Sequence, residues 1–259
     1  MRIIFINLAR APERRANMER QFAAQSLVGE RFEATDGRAL TAADRALVDH
    51  EKRRHITPYP LSDNEIGCWL SHRRVLQDVA TGRGIMMAIV EDDAALAPDF
   101  GRALKAIEQQ KPDFDFIFLH RKFKKGEIFI PCRPLLPDLS LGRVGPAHMG
   151  AIGYVVSREG ARKFLAYAPR FAHAVDKEIH RYWANRLDIY GLERPVVSHA
   201  DDGRSYIEET RAQENASVRM RYPDAGSFYW RLMRGLTRFS DSIHKRIAWH
   251  VYARKGKQS

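Results

Sequence analysis

The sequence predicts an α/β fold built on a mostly parallel central sheet, and three observations carry that expectation. Strand and helix signals alternate along the chain instead of falling into separate blocks. Residues 85–90 and 114–119 are near-continuous apolar runs, the pattern of strands covered on both faces. Between them Pro98 opens a helix through Phe100, Leu104 and Ile107, a crossover of the length that a parallel βαβ unit needs.

Each element follows in order. Residues 2–8, with Ile3, Ile4, Phe5 and Ile6, form a first buried strand. Pro12 suits the first turn of a helix through Arg15, Met18 and Phe22, because its missing N–H is not needed there. Ser62 with Glu65 three residues on is a capping box. It opens a helix carrying Ile66, Trp69, Leu70, Val75, Leu76 and Val79, which stops at Gly82. Residues 122–145, with several prolines and glycines, read as a looser stretch. Residues 152–156 give another strand, and Ser157 caps a helix containing Ala161, Phe164 and Leu165. A further helix starts at Val175, and residues 189–197 hold at least one late strand, interrupted by Gly191 and Pro195. With no internal repeat and no linker before residue 210, residues 1–210 read as one domain and residues 211–259 as a basic helical tail.

Composition narrows the class. Of 259 residues, 44% are hydrophobic and 29% charged, which excludes wholesale disorder and collagen-like repeats. Two cysteines, Cys68 and Cys132, are too few for a disulfide framework or a thiolate zinc site, so a reducing compartment is expected. The opening apolar run is far short of a signal core, and no stretch approaches the ~20 apolar residues of a spanning helix. These features predict a cytoplasmic location. The net charge of +11 invites nucleic acid, an anionic membrane or a phosphorylated substrate. From Ser227 onward eight basic residues face the single acid Asp241, so +7 of the charge lies there. The body is only mildly basic and carries no nucleic-acid-binding motif, so no nucleic-acid partner is predicted.

The sharpest local feature is Glu91-Asp92-Asp93, at the C-terminal end of the strand over residues 85–90. Ligands of open α/β sheets sit at that end. Adjacent carboxylates repel one another, and a hard cation such as Mn²⁺ or Mg²⁺, sharing substrate phosphates, is one reason to hold them together. A solvated acidic loop is the other. Asn7, Arg10 and Arg15 follow the first strand, where arginines suit bidentate phosphate contact, although a salt-bridged helix face with Glu13 and Glu19 also explains them.

Four blocks in this sequence resemble, in order, those of glycosyltransferase family 25. They are Asn7-Leu8 with Arg10, Arg14 and Arg15; Glu65-Ile66-Gly67-Cys68-Trp69-Leu70-Ser71-His72; Val90-Glu91-Asp92-Asp93; and Gly153-Tyr154-Val155-Val156-Ser157 followed by Gly160-Ala161. The resemblance implies a GT-A-like, Rossmann-type nucleotide-sugar-binding domain, a UDP-sugar donor and inversion at the anomeric carbon. It also implies a lipooligosaccharide or related glycan as acceptor, with galactose as the sugar many members transfer. By the same analogy Asp93 is the direct metal ligand, with Glu91 and Asp92 orienting the ribose or metal-bound waters. His199, after Pro195-Val196-Val197, stands where a second ligand is expected, while a lone histidine also serves as ordinary surface, and Asp201 and Asp202 are neighbours that could replace it. His72 either reaches the donor or packs inside its helix. The resemblance favours Asp176 as catalytic base with Glu178 as runner-up, while an Asp at a helix start also serves as a cap. A non-catalytic, polysaccharide-binding member of the family is the alternative.

In the tail, Phe228, Leu232, Leu236, Phe239, Ile243, Ile247 and Val251 recur at three and four residues, and Arg231, Arg234, Arg238 and Lys245 fall on another side. With Trp230, Trp249 and Tyr252 interleaved, residues 227–257 read as an interfacial helix on an anionic leaflet, the inner face of a bacterial inner membrane, near a lipid-linked oligosaccharide acceptor. The alternative is a helix packed on the domain or on a second subunit of a homodimer. Its separate period also predicts that removing it leaves a folded body.

Overall fold

The computed structural model describes residues 1–110, 113–121, 128–145, 150–200 and 221–255. In chain order the first half holds β1 (Arg2–Asn7), α1 (Pro12–Ala23), β2 (Glu30–Glu33), α2 (Ala42–Ala46), α3 (His50–Ile56), α4 (Asp63–Thr81), β3 (Met86–Glu91), β4 (Ala94–Leu96) and α5 (Phe100–Glu108). The second half holds β5 (Phe116–Phe118), β6 (Phe129–Leu136), β7 (Leu139–Val144), β8 (Gly153–Ser157), α6 (Arg158–Tyr167), α7 (Val175–Ile179), α8 (Tyr182–Asn185), β9 (Ile189–Leu192), β10 (Val197–His199) and α9 (Phe228–Lys255).

Eight strands form one sheet in the order β2-β1-β3-β8-β5-β9-β7-β6. β1 pairs in parallel with β2 and β3, and β5 with β9, while β8 runs antiparallel to both β3 and β5, and β7 antiparallel to β6 and β9. The sheet is therefore mixed. The predicted βαβ unit is corrected in one respect: β3 and β5 do run the same way around α5, but β8 is inserted between them. Apolar periodicity fixes the direction of burial, not the identity of the neighbouring strand, so this insertion left no local signal. Residues 128–145 are also not loose. Pro131, Pro134 and Pro137 break the alternation that marks strands, yet the segment folds as the edge hairpin β6–β7, with register shifts beside Pro131 and Pro134.

Side chains alternate between the two faces of the sheet, which builds three layers. Ile4, Ile89, Phe116, Tyr154 and Val156 face α4 and α6, where Trp69, Leu76 and Phe164 complete one core. Ile3, Phe5, Ala88, Val90, Ile117 and Val155 face α1 and α5, where Phe22, Phe100 and Ile107 complete the other. Trp69, fully buried, stacks on Phe171 with ring centroids 4.1 Å apart and planes within 7°. Truncating so large a buried ring costs about 3–5 kcal/mol.

The capping box is formed as expected: Ser62 accepts from the Glu65 N–H, and the Glu65 carboxylate accepts from the Ser62 N–H at 2.9 Å. Gly67 lets α4 touch the chain before it, since a Cβ there would lie 2.7 Å from the Thr35 carbonyl oxygen. That close approach sets residues 35–37 as a wall beside the end of β1.

α9 runs 28 residues and lies against α3 and α8. Arg181 and Trp183 bond to Asp241, Tyr252 stacks on Tyr182 at 4.4 Å, and Arg234 is buried with a hydrogen bond to the Ala225 carbonyl at 2.6 Å. Among the described residues, no helix is long and apolar enough to cross a membrane.

Candidate active site

β1 and β3 end side by side, and the cleft beyond their carboxyl ends is walled by residues 34–38 and by α4. Its cavity volume is about 160 Å³. Arg10, Arg14 and Arg38 line it together with Cys68, His72, Glu91, Asp92 and Asp93. Cations beside carboxylates suit a diphosphate shared with a metal ion.

The three consecutive acids do different things. Glu91, the last residue of β3, accepts or shares a hydrogen bond with His72 Nε2 at 3.1 Å, and His72 Nδ1 meets the Tyr154 hydroxyl at 2.8 Å. His72 is therefore packed, as its helical position allowed, and only its edge borders the cleft. Burial, followed by the negative charge of Glu91, pushes the Tyr154 hydroxyl well up, so it stays protonated. Asp92 accepts from Asn7 Nδ2 at 2.7 Å and from Arg14 at 3.2 Å. Burial raises the Asp92 carboxyl, and these two donors hold part of that rise back.

Asp93 is the acid left over. Among the described residues its Oδ1 is buried without a hydrogen-bond partner. Its Oδ2 lies 3.8 Å from His199 Nδ1, itself unpartnered. That is too long for a hydrogen bond and near the roughly 3–3.5 Å that separates two ligands of one small divalent ion. The placement has a backbone cause. β4 and β10 pair antiparallel with His199 opposite Ala94, and the Ala200 N–H donates to the Asp93 carbonyl at 2.8 Å. A carboxylate and an imidazole with open lone pairs fit Mn²⁺ or Mg²⁺ completed by phosphate oxygens. Asp201 and Asp202 lie outside the described residues.

Cys68, His72 and Glu91 also hold one donor atom each within 4.8 Å of one another. This set suits a hard ion less well. Burial, then the charges of Glu91, Asp176, Asp93 and Glu65, pushes the Cys68 thiol well up and away from the thiolate that binds metal.

Several expected residues stand elsewhere. Asn7 is buried and bonds to the Ala11 carbonyl, Asp92 and Arg31, so it braces the loop after β1 instead of facing a nucleotide. Arg10 does line the cleft, with its guanidinium on Asp36 at 2.8 Å. Arg15 does not: half exposed, it pairs with Glu19 one turn along α1 at 2.7 Å, and Arg14 points inward in its place. Glu178 is 1% exposed and takes a 2.7 Å bond from His173, which turns it into the core and away from an acceptor hydroxyl. Asp176, one position into α7, is part exposed and makes no cap: α7 has no side-chain cap, and among the described residues the Asp176 carboxylate has no hydrogen bond or ion pair. Its charge reaches Cys68 on the cleft wall. Cys68 stands one helical turn before His72, a spacing visible in the sequence that a count of two cysteines hides.

Comparison with known proteins matches residues 1–179 to the family model "Glycosyltransferase family 25 (LPS biosynthesis protein)". The chain is 30% identical over 249 residues to procollagen galactosyltransferase 1 of Danio rerio, covering 83% of this chain and 40% of that protein. It is 34% identical over 177 residues to a glycosyltransferase 25 family member of Drosophila pseudoobscura pseudoobscura, covering 64% of this chain and 27% of the relative. It is 31% identical over 176 residues to an inactive glycosyltransferase 25 family member 3 of Mus musculus, covering 64% and 29%. The chain thus spans between about a quarter and two fifths of the length of these curated relatives. With three of the four sequence blocks lining one cleft, the fourth reaching it through the Tyr154–His72 hydrogen bond, and most of the chain matched by one family model, the chain belongs to glycosyltransferase family 25.

Proposed function

We propose that this chain is a metal-dependent, inverting glycosyltransferase that moves galactose from a UDP-sugar to a lipooligosaccharide-type acceptor at the cytoplasmic face of a membrane. The observation that carries the reading is Asp93, whose buried carboxylate oxygen has no partner among the described residues and lies beside His199 in an arginine-lined cleft. Asp93 and His199 would hold Mn²⁺ or Mg²⁺, and a bound ion supplies Lewis-acid relief of the charge that grows on the departing diphosphate. Arg10, Arg14 and Arg38 contribute fixed positive charge to the same phosphates. Asp176, part exposed and unpaired among the described residues, accepts the proton of the acceptor hydroxyl as its oxygen bonds to the anomeric carbon and the bond to UDP breaks on the opposite face. Galactose leads because the Danio rerio relative is named a procollagen galactosyltransferase; a lipopolysaccharide-type acceptor follows the family description.

A screen of nucleotide-sugar hydrolysis with Mn²⁺ and with chelator tests the reading. UDP-galactose should be consumed fastest, and chelator should abolish the reaction. If no donor turns over under either condition, the chain joins its inactive relatives as a binding protein.

A further inference from the structure

The body-facing side of α9 combines polar clamps with the buried Tyr252 ring. Asp241 is tied to Arg181 and Trp183, Arg234 is buried against Ala225, and Lys245 sits over the Trp183 ring. The opposite side presents the apolar stripe to solvent: Phe228 is 73%, Phe239 67% and Ile247 60% exposed, with Leu232, Leu236 and Ile243 exposed between them. An amphipathic helix normally turns its apolar stripe to the core. This one is anchored by polar pairs and by Tyr252 on the side opposite its long apolar stripe. At ~1.5 Å per residue the stripe runs about 35 Å across the surface, a continuous apolar exposure of the kind that marks an interaction site.

We propose that this stripe is a docking surface for an anionic lipid bilayer, on which α9 lies flat while its other side holds the body. This goes beyond the catalytic reading and does not depend on it. Charge selects the occupant. Arg246 and Arg254 are exposed within the stripe, Arg231 and Arg238 are exposed on another side of the helix, and the helix has no exposed acid, its single acid being bonded to the body. A second copy docked on this face would set arginines against arginines, whereas anionic headgroups complement Arg246 and Arg254. Area argues the same way: a strip about 10 Å wide offers about 350 Å², under half of the ~800 Å² per partner that a standard interface buries. The apolar spacings of four, four, three, four, four and four also run longer than the ~3.5-residue repeat of a coiled-coil seam. A bilayer tolerates that drift, because Arg246 and Arg254 can extend their stems from within the face to the headgroups.

The test is co-sedimentation of the full chain with vesicles of phosphatidylcholine plus phosphatidylglycerol, alongside phosphatidylcholine alone, at low and high salt. The chain should bind the anionic vesicles and lose binding as salt rises. A Leu236→Ser, Phe239→Ser double variant should bind at least about tenfold more weakly while its thermal unfolding stays unchanged, since both positions are exposed. Arg246→Ala with Arg254→Ala should lower binding to the anionic vesicles by about fivefold per arginine and leave the weak binding to phosphatidylcholine alone nearly untouched. Absence of binding to anionic vesicles, or equal binding by the Ser variant, overturns the proposal. So does sedimentation velocity that shows a dimer in the parent chain and a monomer in the Ser variant, because the stripe then belongs to a second copy.

Discussion

Arg181 donates two parallel N–H bonds to Asp241, 2.5 and 2.9 Å long, and so clamps α9 to the turn before α8. Trp183 adds a third bond to the same carboxylate at 3.1 Å. Arg181→Ala should therefore lower stability by about 2 kcal/mol: more than an exposed pair, because the guanidinium is largely covered, but less than a fully buried one. Deleting the chain from Ser227 onward should do more. It strips Tyr252 from Tyr182 and from the Arg143 guanidinium, which lies 4.4 Å over the Tyr252 ring. The separable tail suggested by periodicity alone is thus replaced by an expectation of a destabilised body. Thermal unfolding of the truncated chain decides it, and an unchanged midpoint would contradict the clamp.

Acid should loosen the segment that carries Asp176. The Glu178 carboxyl is raised by burial but pulled lower still by the His173 hydrogen bond, so it ends below its ordinary value. Burial holds His173 below its ordinary 6.5 despite that carboxylate. Both groups bind protons more weakly folded than unfolded, so their stabilisation is present above about pH 6.5 and drains as pH falls through the depressed values. Thermal midpoints should be level above neutrality and decline below it. Glu178→Gln should cost about 1–3 kcal/mol, because it disturbs a buried charge-assisted bond. A midpoint that rises on acidification would exclude this pair as the cause.

Asp176 and Glu178 are two residues apart but should fail differently. Asp176→Asn removes a proton acceptor without touching a phosphate contact, so turnover should drop by about 10²-fold or more with UDP affinity retained. Glu178→Gln should act through folding, leaving turnover per folded molecule within a few fold. Steady-state kinetics on both variants, normalised to folded protein, separates a base from a core residue.

Why some of this was legible and some was not follows from the range of each interaction. The capping box at Ser62, the strand ending in Glu91 and the Ser157 cap are encoded within a few residues, and each appears where the sequence places it. The choice between Arg14 and Arg15 is a rotation of ~100° about α1, which depends on where Asp92 lies, 78 residues away. The orientation of α9 depends on pairs such as Arg181 with Asp241, 60 residues apart. Periodicity finds the apolar stripe but cannot say that the opposite side is the one held. His199 was found for the position of its strand end, while the bond that seats it beside Asp93 is a tertiary contact.

The two arginines give a paired prediction. Arg14→Met should weaken UDP binding, because it removes a cleft cation and also a donor that restrains the buried Asp92 carboxyl; without it, burial pushes that carboxyl higher. Arg15→Met should change neither binding nor stability measurably, since its partner Glu19 is an exposed neighbour on the same helix. Equal losses from both variants would mean that nucleotide binding draws on the outer face of α1.

The strictest prediction concerns Asp93. If its unpaired oxygen and His199 share an ion with the donor diphosphate, UDP binding must need a divalent cation, and the cation must need the carboxylate. Titration calorimetry should then show UDP binding with Mn²⁺, loss of that binding with chelator, and loss in Asp93→Ala at any Mn²⁺ concentration that saturates the parent chain. His199→Ala should weaken binding by a smaller factor, because an imidazole can be replaced by water where a charged carboxylate cannot. Cys68→Ser supplies the contrast: its thiol is held protonated by burial and by four surrounding acids, so the variant should bind metal and UDP like the parent. Should Cys68→Ser abolish metal binding while Asp93→Ala retains it, the ion belongs to the Cys68, His72 and Glu91 cluster, and the roles assigned to Asp93 and His199 fall together.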